Sequence, residues 1–298
     1  MSFEIPGHEL HELVGTGGMS TVWRATETAT DRIVAVKILN REFSDSTEDV
    51  RAFWEEERMM ERIRHPNVVE AYQIGNHDGL WYLTMEFVDG YTFDALLKRK
   101  HHLSESDCIL IGESVASALD FAWNEHAVVH CDIKPDNLMI NSAGMVKMTD
   151  LGISQRFNLH EESGAAAAGD HVIGTPAYIS PEQIYGDVQL DCRADIYSLG
   201  ATLYHLATGR VLFPGADNEA VLRAHCAEAE QAPDPRSLQP ELSEGFAQML
   251  EAMTVKSRDG RLRTWQEVFY MCSEVEKGNA FMPRRTRGAS SIALGQGI

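Results

Sequence analysis

Val129-His130-Cys131-Asp132-Ile133-Lys134-Pro135-Asp136-Asn137, followed by Thr149-Asp150-Leu151-Gly152, is the stretch from which the rest of the chain can be read. Asp132 is an acid able to accept a hydroxyl proton, and Asn137 is an amide able to bind a metal. Asp150 is a second acid that can bind metal and opens the next loop. Phosphoryl transfer from a metal–nucleotide complex needs such a set, because its catalysis is mostly positioning and charge neutralisation. On this reading the chain upstream holds the nucleotide and the chain downstream presents a protein substrate.

Composition narrows the alternatives. A chain of 298 residues can build one large domain or two lobes with a real core. Its formal net charge of −19 speaks against a nucleic-acid binder, since no broad basic face can dominate. The same charge is read first as serving solubility, with a preference for basic substrates or partners as the alternative. The five cysteines, Cys108, Cys131, Cys192, Cys226 and Cys272, are scattered without a Cys-x-x-Cys pair, which predicts reduced thiols and no zinc site. Met1–Gly7 lacks the charged and apolar regions of a signal peptide, and no apolar run is long enough to span a bilayer. The expectation is a soluble cytoplasmic protein that meets neither nucleic acid nor membrane.

Upstream, Leu13-Val14-Gly15-Thr16-Gly17-Gly18-Met19-Ser20 crowds three glycines into four positions, a backbone that can approach phosphates closely. It is no Walker loop, for no Gly-Lys-Ser/Thr follows. It is no dinucleotide fingerprint either, because Thr21-Val22-Trp23-Arg24 is strand-like where a helix would be required. A flap between two strands results; a plain hairpin turn is the simpler alternative. Arg32–Leu39 is an apolar strand interrupted by Lys37, and lysine is rarely buried unless paired. A helix capped at Ser46 and running to Arg64 offers Glu55, Glu56 and Glu57, of which one can face Lys37 or all can form a solvated face. Val68–Tyr72 and Leu80–Phe87 predict two more strands joined at Asn76–Gly79, and Val88-Asp89-Gly90 breaks the pattern as a hinge. Helices follow, capped at Ser104, Asp191, Ser243 and Thr264, the second stopped by Gly209. Between them the segment after Gly152 loses periodicity and predicts a mobile loop. His8-Glu9-Leu10-His11-Glu12 is not the zinc motif His-Glu-x-x-His and fits a first strand instead.

Taken together, Gly15-x-Gly17-x-x-Ser20-x-Val22, Val34-Ala35-Val36-Lys37, His130–Asn137, Asp150-Leu151-Gly152 and Ser180-Pro181-Glu182 stand in one order. From about Leu10 to about Val275 the chain resembles the protein kinases, most closely the eukaryotic-type (Hanks-type) serine/threonine kinases of bacteria. The resemblance implies an α+β bilobal fold: a small antiparallel β-sheet N-lobe with one long helix (10–87) and a larger, mainly helical C-lobe (91–276). A basic tail, 277–298, is expected to be disordered. It implies ATP and Mg2+, and protein substrates with Ser/Thr acceptors. By family position Gly15, Gly17 and Gly18 cover the phosphates, Val14 beside them belongs to the nucleotide-binding set, and Lys37 contacts the phosphates while paired with Glu56. Asp132 accepts the hydroxyl proton, Lys134 neutralises the transferred group, and Asn137 and Asp150 hold the metal. Val22, Ala35 and Met139 sandwich the adenine, Glu86 and Val88 meet its edge through the backbone, and Met85 stands behind. The same resemblance has Thr175 help position Asp132 and Lys134, Glu182 pair with Arg261, and Asp195 hold the catalytic loop.

Two departures matter. Cys131 stands where regulated kinases of this family carry the arginine that receives an activation-loop phosphate, and a thiol cannot do that. The loop agrees, for between Ser163 and Thr175 it has no hydroxyl. The expectation is a non-RD kinase whose activity does not require loop phosphorylation. With no sensor domain in this chain, regulation is expected from a separate partner. The alternative is a pseudokinase that binds nucleotide and partners without catalysis.

Overall fold

The computed structural model describes residues 4–44, 46–150, 175–187 and 189–280; within one helix the side chains at 52, 56, 57 and 59 are also outside the description. Three expectations therefore lie outside the described residues: the Lys37–Glu56 pair, the mobile loop after Gly152, and the disorder of the tail from Pro283.

The first half is a sheet of five antiparallel strands: β1 (His8–Thr16), β2 (Ser20–Glu27), β3 (Arg32–Leu39), β4 (Ala71–His77) and β5 (Leu80–Glu86), in the order β1-β2-β3-β5-β4. The central β3 is buried on both faces, a near-continuous apolar run in which Val34, Ala35, Val36, Ile38 and Leu39 are all buried. The β4–β5 turn uses Asp78 (φ 49°) and Gly79 (φ 78°), the left-handed pair that a two-residue hairpin demands. Between β3 and β4 lie a short helix, α1 (Arg41–Ser44), and α2 (Thr47–Met60). The Ser46 hydroxyl accepts from Asp49 N, so the expected cap is in place.

Two predicted boundaries move. The helix expected to reach Arg64 ends at Met60, because Ile63 N donates to Met60 O in a tighter turn that drops Ile63 into the core. Val68 and Val69, predicted as sheet, leave it. Val68 makes a parallel bridge to Met148 and Val69 N donates to Met148 O at 2.9 Å. Their side chains are buried in the cluster that also holds the helical half, so burial there outweighed strand propensity.

Past the hinge, β6 (Gly90–Thr92) opens a second sheet with β7 (Leu138–Asn141) and β8 (Val146–Met148). Gly90 is required by space: a Cβ there would fall 1.9 Å from Ile140 O. The helices are α3 (Phe93–Lys100), α4 (Glu105–His126), α5 (Pro181–Ile184), α6 (Cys192–Thr208), α7 (Asn218–Cys226), α8 (Glu244–Met253) and α9 (Trp265–Glu276). Ser104, Asp191, Ser243 and Thr264 all accept a backbone N–H as N-caps, and Gly209 (φ 72°) closes α6. In the Thr264 box the Glu267 carboxylate reaches back to Arg263 N, one residue before the cap. Almost all of α6 is buried, so it is the axis of this half. Antiparallel sheet in one half and helices in the other make the bilobal α+β fold. Among the described residues the five cysteines form no disulfide, and no helix is long and apolar enough to cross a membrane.

Candidate active site

The catalytic loop crosses the face where the two halves meet, and α6 and α5 hold it from below. Asp195, on the first turn of α6, is 1 % exposed and accepts from His130 N (2.7 Å) and Cys131 N (2.8 Å). Burial pushes its carboxyl up to about 6, with the His130 ring and the two backbone N–H groups pulling the other way. Further along α6, the Thr202 hydroxyl donates to Ile133 O at 3.1 Å. These ties hold Cys131 at φ 63°, a left-handed conformation that L residues with a Cβ avoid.

So anchored, the loop presents Asp132 beside its neighbours in sequence. Lys134 Nζ (2.7 Å) and Asn137 Nδ2 (2.9 Å) both donate to one oxygen, Asp132 Oδ2. Asp132 Oδ1 takes no hydrogen bond from the described residues, so it is the atom a substrate hydroxyl can meet. Asn137 Nδ2 also donates to Asp132 O at 2.9 Å. With its nitrogen committed there, its amide oxygen is the side open to a cation.

Asp150 arrives from β8. Thr149 N donates to Asn137 O at 2.9 Å, which seats the two candidate metal residues side by side. Asp150 has φ 55°, a left-handed conformation that Asp tolerates better than most residues. Its Oδ1 accepts from Lys37 Nζ at 2.8 Å. Burial would raise this carboxyl, but the Lys37 ammonium and its hydrogen bond outweigh burial and hold it below the usual carboxylate range. An ionised carboxylate next to an amide oxygen is a hard-oxygen pair suited to a small divalent cation that keeps water and phosphate as its other ligands. No cluster of three or more His, Cys, Asp or Glu that could hold a metal occurs among the described residues. A site completed by nucleotide phosphates requires none.

Above the loop, Val22 pairs with Lys37 across β2–β3, and Ala35 pairs with Met85 across β3–β5. Ala35, Met85 and Val88 are buried, and half-buried Val22 and Met139 pack against the same cluster. Those five predicted adenine contacts thus belong to or pack against the main core, while Val14 is 48 % exposed on β1. Gly15, Gly17 and Gly18 lie in or next to the β1–β2 turn, which Gly17 N closes by donating to Ser20 O at 2.8 Å. The Glu86 N–H donates to Glu70 O, just before β4, so it is already committed. The expected support from Thr175 is not made. It shares a small cavity with Asp132, yet its hydroxyl bonds neither Asp132 nor Lys134, whose ammonium is held by the aspartate itself. Glu182 and Arg261 do pair, in a bidentate contact at 2.6 and 3.1 Å.

Lys147 interrupts the apolar strand Val146-Lys147-Met148 just as Lys37 interrupts β3, and its Nζ meets Glu86 Oε2 at 2.7 Å. The pair joins the last residue of β5 to the helical half. Lys147→Met is expected to lower stability by roughly 1.5–3 kcal/mol, the worth of a hydrogen bond to a charged group; urea unfolding would show it as a lower midpoint.

A family model described as "Protein kinase domain" matches residues 8–271. The chain belongs to the protein kinase family. It is 34 % identical over 270 residues to a probable serine/threonine-protein kinase of Clostridium perfringens, covering 91 % of this chain and 38 % of that one. It is 31 % identical over 261 residues to the serine/threonine-protein kinase PrkC of Bacillus subtilis, covering 88 % and 39 %. Against the serine/threonine-protein kinase PknB of Mycolicibacterium smegmatis the identity is 33 % over 279 residues, covering 92 % and 43 %. The chain spans about two fifths of the length of these curated relatives.

Proposed function

We propose that the chain is an active serine/threonine protein kinase, transferring the ATP γ-phosphate to Ser or Thr hydroxyls of protein substrates in the cytoplasm. The observation behind this reading is the junction of Asp132, Lys134 and Asn137 on one carboxylate oxygen with the Lys37–Asp150 pair beside it. Asp132 accepts the hydroxyl proton at Oδ1. Lys134 remains within reach of that carboxylate and of the group in transfer. Lys37, with Glu56 as its second partner, orients the phosphates under the backbone of Gly15, Gly17 and Gly18. Asn137 and Asp150 hold Mg2+, which when bound neutralises charge on the phosphates. Val14, Val22, Ala35, Met85, Val88 and Met139 enclose the adenine, with Glu86 and Val88 offering backbone groups to its edge.

The kinase works without activation-loop phosphorylation, because Cys131 offers no cation to a phosphate and the 164–174 segment offers no hydroxyl. Its input then comes from a separate regulatory partner. Phosphatase treatment is expected to leave transfer to a generic basic protein unchanged, and a large loss mapping to the loop would sink this part. The main reading is tested with labelled ATP and the same acceptor. Transfer onto Ser or Thr supports it; nucleotide binding with no transfer points to a pseudokinase.

A further inference from the structure

The geometry points to Gln183 as a positioning residue for the base: its side-chain amide fixes the Cys131–Asp132 peptide in the orientation that transfer requires. The inference rests on the kinase reading above and explains how the loop can be held without a phosphate. Gln183 lies on α5, just after the Ser-Pro-Glu motif, and is 3 % exposed. Its Nε2 donates to Cys131 O at 2.9 Å. Its Oε1 accepts from Ser180 Oγ (2.8 Å) and Ser180 N (3.1 Å). The two bonds on Oε1 set which way the amide faces, so the donor toward Cys131 is assigned by the network.

That carbonyl belongs to the peptide that joins Cys131 to the base, Asp132. Asp195 holds the N–H groups of His130 and Cys131, upstream of the left-handed turn at Cys131. Thr202 holds Ile133 O, downstream of Asp132. The peptide between Cys131 and Asp132 lies between those anchors. Among the described residues its N–H reaches only His130 Nδ1, at 3.3 Å, and its carbonyl is held by Gln183. Rotation of that peptide would swing Asp132 Oδ1. Where a regulated kinase ties this loop by charge, conditionally, a buried neutral amide ties it at all times.

The test uses the full chain with Mg-ATP and a basic protein acceptor. Gln183→Met fills the same space but donates nothing, and its kcat is expected to fall by roughly ten- to a hundredfold, the effect of a displaced reacting group. KM for ATP and binding of a non-hydrolysable ATP analogue are expected to stay at wild-type values, since no nucleotide contact is touched. Ser180→Ala removes only the hydroxyl that orients the amide, and is expected to lower kcat severalfold in the same direction. Should Gln183→Met fail to fold, Ser180→Ala carries the test. Wild-type kcat in a folded Gln183→Met, or in Ser180→Ala if only that variant folds, overturns the inference. So does a loss that appears in KM for ATP with kcat unchanged. A wild-type chain that binds nucleotide but transfers nothing overturns the kinase reading instead, so the two failures are distinct.

Discussion

Asp132→Asn is expected to reduce phosphoryl transfer by about 10²–10⁴-fold, the usual worth of a general base, while nucleotide binding persists. The asparagine keeps the shape and one oxygen, so Lys134 retains an acceptor. What disappears is the basic lone pair at the position of Oδ1, the carboxylate oxygen that no described residue bonds. The nucleotide side is built separately: Lys37 is paired with Asp150, and Asn137 is seated by Thr149 N. Labelled ATP with a basic acceptor measures the first effect, and titration with a fluorescent ATP analogue measures the second. A variant that transfers at the wild-type rate would remove Asp132 from the mechanism. Loss of binding together with transfer would show that the loop and the nucleotide site are one cooperative unit.

Arg261→Met is expected to destabilise the helical half by about 3–5 kcal/mol, the cost of leaving one partner of a buried ion pair alone. At the sensitivity usual for domains near this size, that is a drop in Tm of roughly 6–20 °C. The Arg261 side chain is fully buried and Glu182 is 7 % exposed, so neither charge can turn to water. The guanidinium uses every donor it has: Glu182 takes two, and the carbonyls of Val255, Arg193 and Lys256 take the rest. Adding Glu182→Met restores part of the loss by removing the orphaned carboxylate. It cannot restore all, because three backbone carbonyls stay without their donor. Thermal unfolding of the three variants decides this. A single mutant within 1 kcal/mol of wild type, on the order of a surface pair, would mean that water reaches the site.

The pair has a consequence for reading mutants. Glu182 precedes Gln183, and Arg261 also holds Arg193 O next to the turn that carries Asp195. Substitutions here will depress activity by loosening the supports of the catalytic loop. Their signature is a lower Tm, which Asp132→Asn should not show.

Much of the site could be read from residues alone because its chemistry is local. Asp132, Lys134 and Asn137 lie within six positions, and one loop brings all three onto a single oxygen. The apolar strand run, the glycine turn and the helix caps are likewise short-range signals, and they identify β3, the β1–β2 flap and the N-termini of α4, α6, α8 and α9. Helix ends and strand ends are less legible. The chain leaves α2 at Met60 and the sheet at Val68–Val69 because burial against distant residues wins over local preference.

Residue identity and order were enough to place the chain in its family and to nominate candidates for the site, since motifs depend on nothing else. The sequence also determined that Cys131 cannot receive a phosphate. Only the tertiary structure decided how the catalytic loop is held. Asp195 lies 64 positions from Cys131, Gln183 lies 52 away and Thr202 lies 69 from Ile133, yet all three converge on three loop residues, His130, Cys131 and Ile133. Each contact is a side chain meeting a backbone N–H or C=O, groups every residue carries except for proline's missing N–H. No pattern of residue types marks which backbone group will be met, so such anchors become visible only once helices α5 and α6 are packed beneath the loop.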